Sequence, residues 1–263
     1  MVDMRSVRNG FTLVELLVVV GVISVLVGLL VPAISSVRRQ GRTAQDVSQM
    51  RMLQTAQVAY ATENAGLFVE VGLSHGAIAD QDIAWINTLE PYTNSGLLLR
   101  SPLDWSPHWL EADVDSGLPI EGTTDRYRQT SYGMNNYLSR NYSPATALGE
   151  APADRLSRVR SPSNTVQFLI MAFTGEFAGA DHTHVEGWWI GDFAPDLPLS
   201  VASSQVQINA VSESEPSWTS RSNWSFVDGR VVTAQFGSMY QNSSRNLFDP
   251  AVASATVMQG ISQ

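Results

Sequence analysis

Between positions 11 and 31 apolar residues run almost without interruption, and sixteen of the 21 side chains are Phe, Leu, Val or Ile. As a helix at ~1.5 Å per residue this stretch spans about 31 Å, the thickness of a bilayer's hydrocarbon core. After Pro32 the pattern changes. Ala44, Val47, Met50, Leu53, Ala56/Gln57 and Tyr60 recur every three or four residues, while Arg38, Arg39, Arg42, Gln45, Asp46, Gln49 and Arg51 fill the other faces. That recurrence predicts an amphipathic helix. Proline removes a backbone donor, so a kink at Pro32 is expected within one helix covering 11–63. Asn64-Ala65-Gly66 supplies the stop, with a left-handed glycine cap. Further along, 82–89 reads as a short helix stopped at Pro91. Strands are predicted at 165–173, 184–190 and 204–211. A hairpin is predicted around Asp228-Gly229, with Trp224-Ser225-Phe226-Val227 and Arg230 to Phe236 as its arms and Asp-Gly as a two-residue turn. The stretch 101–125 is rich in Pro, Asp, Gly and Ser and reads as an irregular loop. The tail 237–263 has weak periodicity.

One residue breaks the apolar run. Glu15 is an acid near the start of a membrane-length segment, where it costs up to roughly 3 kcal/mol at mid-membrane and less toward the edge. Sixteen apolar side chains at roughly 0.3–0.6 kcal/mol each outweigh it, so the segment inserts. An intramembrane carboxylate is then a functional residue whose partner must be found. Gly10-Phe11-Thr12-Leu13-Val14-Glu15 and the apolar run resemble the class III signal of type IV pilins and type II secretion pseudopilins. The resemblance implies cleavage after Gly10 by a prepilin peptidase, methylation of Phe11, and pairing of Glu15 with the amino-terminal charge of a neighbouring subunit. It implies an α+β, pilin-like fold with a long N-terminal helix packed on an antiparallel sheet. The domains expected are a leader (1–10), a transmembrane and filament-core helix (11–35), a helical extension (36–64) and a globular head (65–263). Its partners would be other pilin or pseudopilin subunits, the peptidase and an assembly platform in the inner membrane, with the head outside the cytoplasm.

Two other readings use the same residues. Arg5 and Arg8, the apolar run and Ala33-Ile34-Ser35 have the order of a secretory signal peptide, but the run is long and carries Glu15. A plain signal anchor is the other. Arg38, Arg39 and Arg42 follow the span, so charge counting alone favours the opposite orientation to the one the resemblance implies.

Composition narrows the head's chemistry. The 263 residues contain no cysteine, which removes disulfides and thiolate sites. From position 65 onward 21 acids face 10 Arg, so the head is acidic and unsuited to phosphate contacts with nucleic acid. No catalytic motif emerges, and no enzyme activity or obligatory cofactor is expected. Asp181, His182, His184 and Glu186 have metal-ligand types at close spacing; on a strand His182, His184 and Glu186 would share one face. Asp104, Asp113, Asp115, Glu121 and Asp125 form an acidic loop of the kind that holds calcium. The seven Trp suit core packing or carbohydrate stacking. A membrane-anchored module binding glycan or calcium is therefore the alternative to a filament subunit.

A second resemblance covers most of the chain. Pilin-like proteins numerous in planctomycetes and their relatives carry a motif of His, nine residues, then Asp-Gly. Asn223, Phe226, Asp228 and Gly229 fall in place here, with Trp218 where the His stands. Arg126-Tyr127-Arg128, Ser131 to Asn135, Ser161 to Thr165 and Ala180-Asp181-His182 fit the same family's habits, and Ser101-Pro102 replaces its Cys-Pro.

Overall fold

The apolar run and the amphipathic stretch form a single helix, α1, Leu13–Glu63, which continues through Pro32. The structure, a computed structural model, describes residues 13–73, 81–93, 99–109, 128–189 and 197–253. Gly10 and Phe11 lie outside them, as do Asp113, Asp115, Glu121 and Asp125. The chain divides into two compact units, Met1–Arg42 and Thr43–Gln263.

In the second unit a four-stranded antiparallel sheet has the order β1 (Tyr132–Met134), β2 (Val166–Ile170), β3 (Arg221–Phe226), β4 (Val231–Gln235). The α+β layout with a long N-terminal helix is as the sequence implies. Each face of the sheet has its own core. On one face Met50, Leu53 and Ala56 of α1 pack with Tyr132, Met134, Phe168 and Ile170, and with Trp85. On the other Leu169, Trp224 and Phe226 meet Trp188, Phe236 and Phe248. Strand alternation produces this division: Trp224 and Phe226 turn to the second core, whereas Asn223 and Ser225 turn to α1. A register shift in β2 between Val166 and Leu169 puts Gln167 beside Phe168 on the helix side.

Helix α1 ends as the sequence predicts, but the left-handed position is taken by Ala65 (φ 55°) as well as by Gly66. The Gly66 amide donates to the Ala61 carbonyl (2.8 Å), which closes the end. The hairpin is also present, with a different turn. Phe226 O accepts from Gly229 N (2.9 Å), and Phe226 N donates to Arg230 O (2.9 Å). The loop is therefore three residues, Val227-Asp228-Gly229, with Gly229 at φ 91° in the bulge position, rather than a two-residue Asp-Gly turn.

Two predicted strands are absent. Residues 184–190 contain a 3-10 turn, Val185–Gly187. Residues 204–211 begin as the end of a helix, Leu197–Gln205, after which Val206 makes an isolated bridge to Met171. The predicted helix at 82–89 is a 3-10 turn, Gln81–Ile83, followed by one helical turn, Trp85–Thr88. The described part of the tail adds a small two-stranded sheet, Tyr240–Asn242 with Arg245–Asn246, and buries Leu247 and Phe248.

Gly133 in β1 has no room for a side chain. A Cβ there would lie 2.1 Å from Met171 Sδ and 3.1 Å from the Asp181 backbone. Gly133→Ala is expected to cost about 1–3 kcal/mol through overpacking, seen as a lowered Tm of the full chain. Ala65→Gly should act the other way, stabilising by up to about 1 kcal/mol in the same assay, because an alanine pays for a left-handed φ that glycine adopts freely.

Candidate functional site

The membrane-length part of α1 carries apolar side chains around its whole circumference. Leu13, Val14, Leu16, Leu17 and the Val, Ile and Leu residues through Val31 are exposed within the chain. Helix α1 is long and apolar enough there to cross a bilayer. Glu15 stands in the first turn of the described helix.

One polar constellation holds the other part of α1 on the sheet. Asp46 is fully buried. Its Oδ2 accepts from Asn223 Nδ2 (2.7 Å), and its Oδ1 accepts from the Tyr132 hydroxyl (2.7 Å) and from Ser101 Oγ. The Tyr132 hydroxyl also lies 2.8 Å from Gln49 Oε1, and Asn223 Oδ1 accepts from Thr233 Oγ1 (2.6 Å). Burial pushes the Asp46 carboxyl up, opposed by the bonds from Ser101, Asn223 and Tyr132, and its net displacement is upward. Burial also pushes the Tyr132 hydroxyl well up, with the neighbouring Asp46 adding to it. Ser101, in the Ser-Pro that replaces the expected Cys-Pro, thus serves as a donor to α1.

A second constellation adjoins it. Arg128 and Asp104 form a fully buried ion pair (Nε to Oδ2, 2.7 Å), and Ser131 Oγ donates to the same oxygen (2.6 Å). The Arg128 guanidinium donates to the carbonyls of Ala172 (2.8 Å), Ala178 and Met171 (3.3 Å). Ser131 Oγ accepts from Ser101 N (2.8 Å), which links the two constellations. Asp104 is thereby committed to the fold.

The residues of the predicted metal set stand on a different local backbone from the strand expected. Because 184–190 is not a strand, His182, His184 and Glu186 do not share a strand face. His182 Nδ1 pairs with Asp181 Oδ1 (3.0 Å) and His184 Nδ1 with Glu186 Oε1 (3.2 Å), and the two imidazole rings meet edge to face with centroids 5.1 Å apart. Glu186 is further held by Asn136 Nδ2 (2.7 Å), and Asp181 Oδ2 accepts from Gly72 N (3.0 Å). Burial raises the Glu186 carboxyl, but the bonds from His184, Asn136 and its own backbone outweigh burial and leave it lowered. Among the described residues no three His, Asp or Glu side chains group as a metal site requires.

In the hairpin motif Asn223 joins α1, Phe226 enters the second core, and Asp228 Oδ1 accepts from Arg230 N (3.1 Å) to shape the turn. Trp218, at the His position of the resemblance, stacks on Phe236 (5.5 Å between ring centroids, 21°). Trp85, Trp188 and Trp224 are buried, and Trp105 is exposed.

Residues 5–31 match the family described as the prokaryotic N-terminal methylation motif. The chain has a prepilin-type amino terminus. No curated protein and no solved structure matches it. The match covers the amino-terminal segment alone, and the head must be read from its own geometry. The anchorage through Asp46 was not visible in the sequence. Asp46 fell among the polar positions of an amphipathic repeat, and its partners lie 55, 86 and 177 residues away. An acid at helical spacing from Gln49 was the only signal.

The pH dependence of the protein's stability follows from Asp46. A carboxyl held above its ordinary value favours the fold below that ordinary value, 3.8, and loses the contribution as pH rises through its folded value. The stability of the wild type relative to Asp46→Asn, from thermal unfolding at a series of pH values, should therefore decline upward from pH 3.8. Asp46→Ala removes the acceptor shared by three buried donors, of which Tyr132 keeps Gln49 Oε1, and is expected to cost about 2 kcal/mol.

Proposed function

We propose that this chain is a structural subunit of a type IV pilus-like or type II secretion pseudopilus-like filament. The observation that carries the reading is the match at 5–31 to the methylation motif, on a helix that is apolar all round where the motif lies. In this account a peptidase cuts after Gly10 and Phe11 becomes the methylated amino terminus. The segment 11–35 then waits in the inner membrane with the head on the far side from the cytoplasm. Assembly exchanges lipid for the helices of neighbouring subunits.

Glu15 gives that exchange a direction. Its carboxylate is costly in hydrocarbon, and a neighbour's amino-terminal charge compensates it on docking. The work is mechanical and needs no catalytic group or resident cofactor. The acidic head supports partners other than nucleic acid.

Mass spectrometry of the amino terminus, on protein from membranes and from sheared surface material, tests the processing step. A chain beginning at N-methylated Phe11 is expected. An intact Met1 would instead make the protein an anchored binding module, and a start near Ser36 an ordinary secreted protein. Gly10→Glu should leave the precursor uncut in the membrane. Glu15→Val should insert and be cleaved normally yet be lost from sheared filaments by tenfold or more; incorporation at the wild-type level would refute the role of Glu15.

A further inference from the structure

Three arginines, Arg38, Arg39 and Arg42, follow the apolar part of α1 and are exposed. At about 100° per residue they fall within an arc of roughly 100° on one side of the helix. No Asp or Glu occurs between Glu15 and Asp46. The Asp46 carboxylate, one turn beyond Arg42, is buried and engaged by Asn223, Tyr132 and Ser101. This stretch of helix therefore supplies no acid to neutralise its positive charge.

Filament assembly through Glu15 makes no use of these arginines. They outnumber Arg5 and Arg8 on the other side of the span, so they oppose the orientation that puts the head outside the cytoplasm. Beyond position 64 the chain has 21 acids against 10 Arg, so the cluster is a local exception to an acidic chain.

Their height on the helix gives them a partner. Counted from Leu13 at ~1.5 Å per residue, a hydrocarbon core of ~30 Å ends near residue 33. Ile34 and Val37 are still apolar and exposed, which carries the span into the edge of the polar layer. That layer is about 5–8 Å deep on each side and reaches roughly to residue 38. Side chains on a helix lean toward its N-terminus, here toward the bilayer, so the long arms of Arg39 and Arg42 return their guanidinium groups to the same depth.

We propose that Arg38, Arg39 and Arg42 bind the phosphates of anionic phospholipids in the leaflet where the span ends, a site that rests on the reading of 11–35 as a transmembrane segment. A guanidinium holds a phosphate through two parallel N–H donors, and three on one arc favour lipids of net negative charge. A zwitterionic headgroup brings its own cation to the phosphate and gains less. The bound lipids neutralise the charges that oppose the orientation and set the depth at which α1 waits.

The chain has no cysteine, so Ser35→Cys, exposed and one turn nearer the membrane on the same arc, carries a single photo-crosslinker. The full chain so labelled is reconstituted in liposomes of equal phosphatidylglycerol and phosphatidylcholine, and its adducts are identified by mass spectrometry. Phosphatidylglycerol adducts should exceed phosphatidylcholine adducts by at least about threefold at low ionic strength and fall toward equality in molar salt. Arg38→Gln, Arg39→Gln and Arg42→Gln together should bring the ratio to about one with total lipid adducts unchanged. An equal ratio with the arginines in place, or a ratio that the three substitutions leave unchanged, overturns the proposal. Loss of adducts between two copies in the variant, at an unchanged lipid ratio, would assign the arginines to a neighbouring subunit instead. Absence of adducts with either lipid would overturn the transmembrane reading itself, and the lipid site with it.

Discussion

A single carboxylate, that of Asp46, stands where the long helix meets the sheet, and its three bonds reach the segment at Ser101, strand β1 and strand β3. An apolar contact alone would leave the helix free to slide or rotate, since hydrophobic packing is non-directional. A buried acceptor with three directed donors has one satisfactory register. The neighbouring ion pair of Arg128 and Asp104 extends this logic, because its guanidinium also clasps the carbonyls of three residues that follow β2. The head is thus positioned on α1 by polar geometry, with Met50, Leu53 and Ala56 supplying the bulk of the buried area.

Much of this architecture was legible in the sequence, for identifiable reasons. The 3.6-residue recurrence over Ala44 to Tyr60 is strong because one face of the helix is core and the others are not. The hairpin announced itself because alternation in Trp224 and Phe226 flanks a turn-forming Asp228-Gly229. Elements that were not legible are those whose residues answer to distant partners. Strand β1 is three residues, one of them Gly133, chosen for its closeness to Met171 and the Asp181 backbone rather than for strand propensity. The helix Leu197–Gln205 has three Ser in nine residues and offers little signal beyond Pro198. Trp188-Trp189 suggested a strand, but Trp188 is buried by a 3-10 turn that aims it at Tyr240 and Phe248.

The candidate sites divide in the same way. Gly10, Phe11 and Glu15 lie within the matched segment 5–31, whose signal is the local order of residues and needs no tertiary structure to be read. For Asp181, His182, His184 and Glu186 the expected shared strand face is absent, because side-chain direction depends on backbone conformation and the chain turns at Val185–Gly187.

The separation of Asp46 from Asn223 has a temporal side. The two lie 177 residues apart, and Asn135 likewise waits for the carbonyl of Phe248, 113 residues on. At roughly 5–20 residues per second of synthesis, Asp46 is made on the order of ten to thirty-five seconds before its partner Asn223 exists. Through that interval Ser101 and Tyr132 emerge, while the carboxylate's second oxygen still lacks Asn223. A head built this way closes its core only when its last third has been made, so the order of synthesis is written into which residues complete it.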